Sequence, residues 1–277
     1  MPPGLPWRPR DRYGAAVDRA EFVEHGTSIL DRLTTTQTAP PWGLVAATGV
    51  AALVLVGFSP VWRVMRNVVT IAHEGGHAFI ALLTGRRLNS ITLHSDTSGL
   101  TVSSGKPYGL GMILTAMAGY PAPALIGLGF AALLGAHRIT LMLWVTLVLL
   151  LALLIKVRNI YGLFTVFVVG GAVFAVSWFG TDTLQAGFAY LGAWFLLFAG
   201  LRPVIELQRT RSRRWGGSRD SDADQLARLT HLPGLLWVLV FGAIALAALV
   251  FGAGLLIADA GGVCIPHVSS AVCPAPR

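Results

Sequence analysis

Long stretches without a charged side chain dominate the hydrophobic pattern of this chain. Seven stretches either contain no Lys, Arg, Asp or Glu or are interrupted by a single motif. Each reaches the roughly 17–25 residues that a helix needs to cross a bilayer. They cover residues 41–62, 67–85, 107–136, 139–155, 159–181, 183–201 and 232–258. The pattern therefore predicts an all-α polytopic membrane protein with about seven transmembrane helices, which form one bundle over 41–258.

The third stretch contains a helix-breaking motif. Gly119-Tyr120-Pro121-Ala122-Pro123 lies in its middle. A proline inside a helix removes one backbone hydrogen bond and clashes with the preceding turn. We expect this span to be kinked or broken at the motif.

The polar segments set the predicted orientation. They are a tail over 1–40, a basic loop over 202–231 and a second tail over 259–277. If the seven spans alternate and the N-terminus faces the cytosol, 17 of the 21 basic residues lie inside and 4 outside. Basic residues concentrate on the cytosolic side of membrane proteins. The expectation is a multi-pass protein of the cell (inner or plasma) membrane, with a cytosolic N-terminus and an external C-terminus.

Composition agrees with a membrane location. Charged residues make up 12% of the chain and hydrophobic residues 54%, whereas soluble domains are about 25% charged. The net charge of +8 is explained by anionic lipid headgroups beside the basic loops. We therefore expect the lipid bilayer as a partner and no nucleic acid. Cys264 and Cys273 lie in the predicted external tail, where a disulfide would persist; two free thiols are the alternative.

The second span contains a motif of residues that can bind a metal ion and transfer a proton. It reads His73-Glu74-Gly75-Gly76-His77, and residues four apart share one face of a helix. Two imidazoles on one face can bind a metal ion, and the adjacent Glu74 can act as the general base that activates water. Zinc is the expected cofactor. Two alternatives are a His–Glu pair that only ties helices together and a site that binds metal without cleaving.

A second pattern follows the motif. Apolar and polar residues alternate over 91–93 and again over 100–102, with Asp96-Thr97-Ser98-Gly99 between them. Alternation around turn residues predicts a β-hairpin between the second and third spans. Its edge would suit an extended peptide, which could add as a further strand. An ordinary loop is the alternative.

These motifs together resemble the site-2-protease-like bacterial membrane zinc metallopeptidases. The resemblance covers about residues 65–255 and is strongest over 70–127. It is carried by the segments 73–79, 84–87, 98–101, 118–127 and 221–230. It implies hydrolysis of peptide bonds in or near transmembrane segments, with His73 and His77 as metal ligands, Glu74 as general base, and a hairpin beside the active site.

The third metal ligand is not evident from the sequence. Many members of the family supply it from an Asp-Gly motif, and this chain has none. Asn159, at the start of the fifth span, is our candidate, although it could equally cap that helix. Asp96 could fold back from the hairpin, and Asp182 would lie on the wrong side.

Three functions remain after these observations. The expected one is a zinc-dependent intramembrane endopeptidase acting on membrane-protein substrates. The alternatives are an inactive pseudoprotease that grips transmembrane segments and, less favoured, a transporter, which would show broken helices in repeated positions. The substrate and the oligomeric state stay open.

Overall fold

A computed structural model describes residues 26–28, 30–213 and 221–259. The candidate disulfide between Cys264 and Cys273 lies outside these residues. The elements after the N-terminal segment, in chain order, are α1 (Trp42–Gly57), α2 (Ser59–Leu83), β1 (Arg87–Leu93), β2 (Gly99–Ser104), α3 (Leu110–Met117), α4 (Ala122–Gly135), α5 (Ile139–Leu154), α6 (Ile160–Phe179), α7 (Asp182–Ala199), α8 (Arg202–Arg213), α9 (Asp222–Thr230) and α10 (Gly234–Asp259).

An apolar bundle forms one half of the fold. Helix α4 packs against both α7 and α10, and α1 packs against α7. Tyr190 and Leu197 of α7 are fully buried in this core. Small residues allow the close approach: a Cβ added to Gly127 would lie 2.9 Å from the backbone nitrogen of Leu197. Such contacts drive helix association in membranes, where lipid competes equally for apolar surface.

The predicted count of seven spans is not confirmed. In the described residues, three helices are long and apolar enough to cross a membrane: α6, α10 and the stretch Asp182–Ser212, in which α7 and α8 count together as one helix. Helices α1 and α2 meet at a bend of 100°. Helix α5 is apolar but shorter. If each bent pair is one span, the number rises to five.

The predicted break in the third stretch is confirmed. Helix α3 ends at Met117, α4 begins at Ala122, and the two axes differ by 73°. Pro121 is the N-cap of α4 and Pro123 lies in its first turn. A proline is tolerated there because the first N–H groups of a helix have no partner within it.

The contacts of the N-terminal segment contradict seven spans that cross the membrane in strict alternation. Arg32 pairs with Asp182 at 2.7 Å, and the backbone nitrogen of Gln37 donates to the carbonyl of His137 at 2.8 Å. The N-terminal segment therefore lies at the same end as the α4–α5 and α6–α7 turns. Seven alternating spans would place it on the opposite side of the membrane.

The α1–α2 bend explains this difference. The Arg202 guanidinium, just after α7, donates to the carbonyl of Val56 at the end of α1, so α1 and α7 run parallel. Helix α5 starts beside His137 and runs to the opposite end of the bundle, where the backbone nitrogen of Ile91 in the hairpin donates to the carbonyl of Lys156. The hairpin, which follows α2, therefore lies at the same end as Arg202. Helix α2 thus begins and ends near the same end of the bundle and adds no full crossing.

The predicted hairpin between α2 and α3 is present. Strands β1 and β2 pair antiparallel, with an irregularity between Leu88 and Ser90. The turn closes through a hydrogen bond from the His94 nitrogen to the Ser98 carbonyl. The Thr70 hydroxyl donates to the carbonyl of Thr97 at 2.8 Å and so docks the turn on α2. Irregular backbone at membrane depth is tolerated when protein buries it in this way.

Candidate metal centre

Helix α2 presents the two histidines of the motif side by side. The Nε2 atoms of His73 and His77 are 3.1 Å apart. The other ring nitrogen of His77, Nδ1, lies 2.7 Å from the carbonyl oxygen of Thr115. A carbonyl only accepts hydrogen bonds, so Nδ1 carries the proton, and in neutral His77 the lone pair is on Nε2. Such an outer hydrogen bond is the usual way in which proteins orient a metal-binding histidine.

Asp222 supplies a third donor atom. Its Oδ2 lies 3.3 Å from Nε2 of His73 and 3.2 Å from Nε2 of His77. Asp222 is the first residue of α9, which packs against α3 and α10. Among the described His, Cys, Asp and Glu residues, these three form the one group whose donor atoms converge closely enough to hold a metal ion.

The sequence around Asp222 contains a signal that does not by itself identify a third ligand. The segment 221–230 belongs to the family resemblance, and Ser221 and Asp224 predict a helix start there. The candidate predicted from the sequence, Asn159, starts a span, whereas Asp222 lies on a short amphipathic helix between spans. Tertiary packing of α9 brings it to the histidines.

The three donors fit a metal ion. Ligands of a tetrahedral zinc with bonds of about 2.0–2.1 Å stand about 3.3 Å apart, close to the observed distances of 3.1–3.3 Å. Among the described residues, the buried Oδ2 of Asp222 has no hydrogen-bond partner apart from the ring nitrogens of the two histidines. In the neutral tautomer described above, His77 has no proton to offer it. A cation between the three atoms would satisfy them all.

The break between α3 and α4 covers the histidines. A Cβ added to Gly119 would overlap Nε2 of His77 and lie 2.6 Å from Nε2 of His73, so the backbone approaches closely because residue 119 has no side chain. The next residue, Tyr120, sets its ring edge-on to His73, with centroids 4.9 Å apart, and stacks on Phe241. The Pro-containing break thus shapes the site.

Glu74 lies beside the three donors but is not one of them. It is buried, with 3% of its surface exposed. Thr101 of β2 donates from its hydroxyl to Oε2 of Glu74 at 2.6 Å. A Cβ on Gly99 would overlap Oε1. The hairpin therefore packs directly onto the carboxylate.

The structure places Asn159 away from the three donors. It occupies the N-cap position of α6, yet its side chain makes no cap hydrogen bond. Its carboxamide instead pairs with the backbone of Leu93: Oδ1 accepts from the nitrogen at 3.1 Å and Nδ2 donates to the carbonyl at 2.6 Å. Asn159 thus fastens β1 to the start of α6.

The other two acids weighed as ligands also lie elsewhere. Asp96 accepts hydrogen bonds from the hydroxyl and backbone nitrogen of Ser98 within the hairpin turn, and these bonds lower its pKa. Asp182 is largely exposed and pairs with Arg32 at the far end of the bundle.

Helix α9 is held in place by polar contacts at its start. The predicted cap is present: Ser221 Oγ accepts from the backbone nitrogen of Asp224 at 3.3 Å. Arg211 of α8 pairs with the Asp224 carboxylate. Burial alone would raise the pKa of Asp224, but the hydrogen bonds from Ser221 and Arg211 lower it. These contacts orient the residue that carries the third donor.

The model of one protein family, described as Peptidase M50B-like, matches residues 46–252. The match spans about three quarters of the chain and includes both histidines, Glu74 and Asp222. The chain belongs to this site-2-protease family. Membership of the M50B-like family implies a membrane metallopeptidase, in agreement with the apolar helices and the His–His–Asp group. No curated protein and no solved structure matches the chain.

Proposed function

We propose that this M50B-like chain is a zinc-dependent intramembrane endopeptidase that cleaves membrane proteins in or near their transmembrane segments. The observation that carries the proposal is the convergence of His73, His77 and Asp222 beside the buried Glu74. A buried carboxylate that is not a ligand, next to two nitrogen donors and one oxygen donor, is the arrangement of a hydrolytic zinc site.

The residues have distinct roles in this proposal. His73, His77 and Asp222 hold the zinc, which when bound supplies the Lewis acid that polarises the peptide carbonyl. Glu74 removes a proton from the attacking water and then returns it to the departing amine nitrogen. Burial of Glu74 keeps bulk water away from its carboxylate and strengthens its interaction with the attacking water.

The exposed edge of β2 supports an extended peptide as the substrate form. Backbone groups of Ile91 and Leu93 in β1 bond away from β2, to Lys156, Arg158 and Asn159. Bonding direction alternates along an antiparallel strand, so the opposite residues of β2, Thr101 and Gly99, direct their backbone groups to its outer edge. A substrate strand added there would lie beside Glu74.

The distribution of basic residues supports an orientation in the cell membrane. Of the 14 described Lys and Arg residues, 12 lie at the end that holds the hairpin and α8, and only Arg32 and Arg138 lie at the other. By the positive-inside rule, we assign the hairpin end to the cytosol. Residues 30–41 and the end of α10 then face outward, unlike the cytosolic N-terminus expected from alternation. A membrane-impermeant maleimide should label Thr35→Cys, but not Lys106→Cys, in intact cells of a Cys264→Ser, Cys273→Ser background.

The proposal is tested by Glu74→Gln in purified protein reconstituted with membrane-protein substrates. Loss of a general base costs about 10²–10⁴-fold in rate, whereas the zinc content should stay that of the wild type. Cleavage at equal rates by both proteins would refute the assigned role of Glu74. If wild-type protein binds both zinc and substrate but cleaves nothing, the pseudoprotease alternative is favoured instead.

A further inference from the structure

We propose that Thr101 is a positioning residue for the reaction: its hydroxyl holds the Glu74 carboxylate in the orientation required of the general base. This inference rests on the endopeptidase function proposed above. Its direct support is the hydrogen bond from Thr101 Oγ1 to Oε2 of Glu74 at 2.6 Å.

The carboxylate needs such a partner because it is buried. Glu74 is 3% exposed, and an ionised group without hydrogen bonds is costly in an apolar environment. Charge-assisted hydrogen bonds are short and about twice as strong as neutral ones, and the observed 2.6 Å agrees with one. Because Thr101 occupies Oε2, Oε1 is the oxygen left to accept a proton.

Gly99 complements Thr101 at the other carboxylate oxygen. A Cβ at position 99 would lie 2.6 Å from Cγ of Glu74 and overlap Oε1. Because residue 99 has no side chain, the β2 backbone can pack closely against Oε1. Residues 99 and 101 lie on the same face of β2, so one strand both donates to Oε2 and packs against Oε1.

The same two residues face the substrate edge. The backbone groups of Gly99 and Thr101 point to the outer edge of β2, while the Thr101 side chain contacts Glu74 of α2. A peptide that pairs with this edge would therefore order the residue that orients Glu74. Thr101 thereby links binding of the peptide to the orientation of the Glu74 carboxylate.

Three variants test this role in the zinc-loaded protein. Thr101→Val keeps the shape of the side chain and removes the hydroxyl; Thr101→Ser keeps the hydroxyl. Thr92→Val is the matched control because Thr92 lies on β1 and its hydroxyl reaches only the Leu100 carbonyl, at 3.5 Å. We expect Thr101→Val to lower kcat about tenfold to hundredfold, the range for hydrogen bonds to charged groups, with wild-type zinc content. Thr101→Ser should restore most of the rate.

Three outcomes would overturn the proposal. One is a Thr101→Val rate within about twofold of Thr92→Val, since the lost bond is to a charged group. Another is a Thr101→Ser variant as slow as Thr101→Val. A third is loss of zinc or of the circular dichroism helix signal together with the rate, which would make Thr101 a residue of general structural support.

An infrared measurement separates this inference from the proposed function. The difference spectrum between wild type and Thr101→Val should contain a shifted carboxyl band of Glu74, and the shift should vanish when both proteins carry Glu74→Gln. If the band shifts and wild type cleaves no substrate, the hydrogen bond stands and the endopeptidase function fails. If wild type cleaves substrate and no band shifts, the positioning role fails.

Discussion

The two halves of the molecule differ in how regular their backbone is. In the apolar bundle, α4, α7 and α10 pack through continuous helical faces and small residues such as Gly127. Around the site, regular structure is repeatedly broken: α2 follows a 100° bend, α3 and α4 meet at 73°, and a hairpin lies between α2 and α3. The bundle supplies the membrane scaffold, and the broken half holds the polar groups.

This difference shows how the chain can hold metal-binding and catalytic side chains in an apolar environment. Straight helices satisfy their own backbone groups and need only apolar contacts. At the end of α3, next to the break, the carbonyl of Thr115 accepts from His77 as well as from the backbone nitrogen of Ala118. The break also lets the backbone at Gly119 approach the histidines. Substitutions in the broken half should therefore alter metal binding and catalysis, and those in the bundle should alter stability.

Of three substitutions that compare the two halves, Gly119→Ala should have the largest effect. In Gly119→Ala, the new methyl group overlaps Nε2 of His77, so the imidazoles must move. Because disturbed ligand orientation typically costs about 10–100-fold in metal affinity, zinc affinity should fall at least about tenfold, and cleavage should fall with it. Gly129→Ala is the matched control, since a Cβ there meets nothing within 4 Å. Zinc titration of both purified variants checks the prediction; equal affinities would contradict the tight approach of residue 119.

A smaller effect, on stability, is expected at Gly127. A valine here would press on the backbone of Leu197 in α7, and overpacking of a core costs about 1–3 kcal/mol in the free energy of unfolding. Zinc bound per folded molecule should not change. Denaturant unfolding in detergent, with Gly129→Val as reference, measures the loss. A Gly127→Val protein that is fully stable yet zinc-free would reverse the assignment of the two halves.

The smallest effect is expected at the far end of the bundle. Asp182→Asn removes the pair with Arg32, in which the Asp182 side chain is 79% exposed. Exposed pairs contribute about 0–1 kcal/mol because water and salt screen them. Unfolding and cleavage assays should give values near those of the wild type. A cleavage rate reduced as strongly as in Gly119→Ala would show that this end is coupled to the site.

The sequence predicted what depends on local pattern. Helical periodicity brought His73 and His77 together, prolines located the α3–α4 break, and alternation around a turn predicted the hairpin. Asp222 could not be found in this way, because its approach depends on how α9 packs against α3 and α10. The contacts of residues 30–41 with the α4–α5 and α6–α7 turns also do not follow from local pattern. Alternation gives every apolar stretch one crossing, whereas the bend before α2 is a tertiary feature.

We propose that Asp222, rather than Asn159, completes the metal site with the two histidines. The zinc contents of purified wild-type protein, Asp222→Ala and Asn159→Ala decide between the two residues. Asn159→Ala loses two hydrogen bonds to Leu93 but no donor atom of the site. We predict about one zinc per chain in wild type and Asn159→Ala, as for one three-ligand site, and little or none in Asp222→Ala. Full zinc content in Asp222→Ala, or its loss in Asn159→Ala, would contradict the assignment.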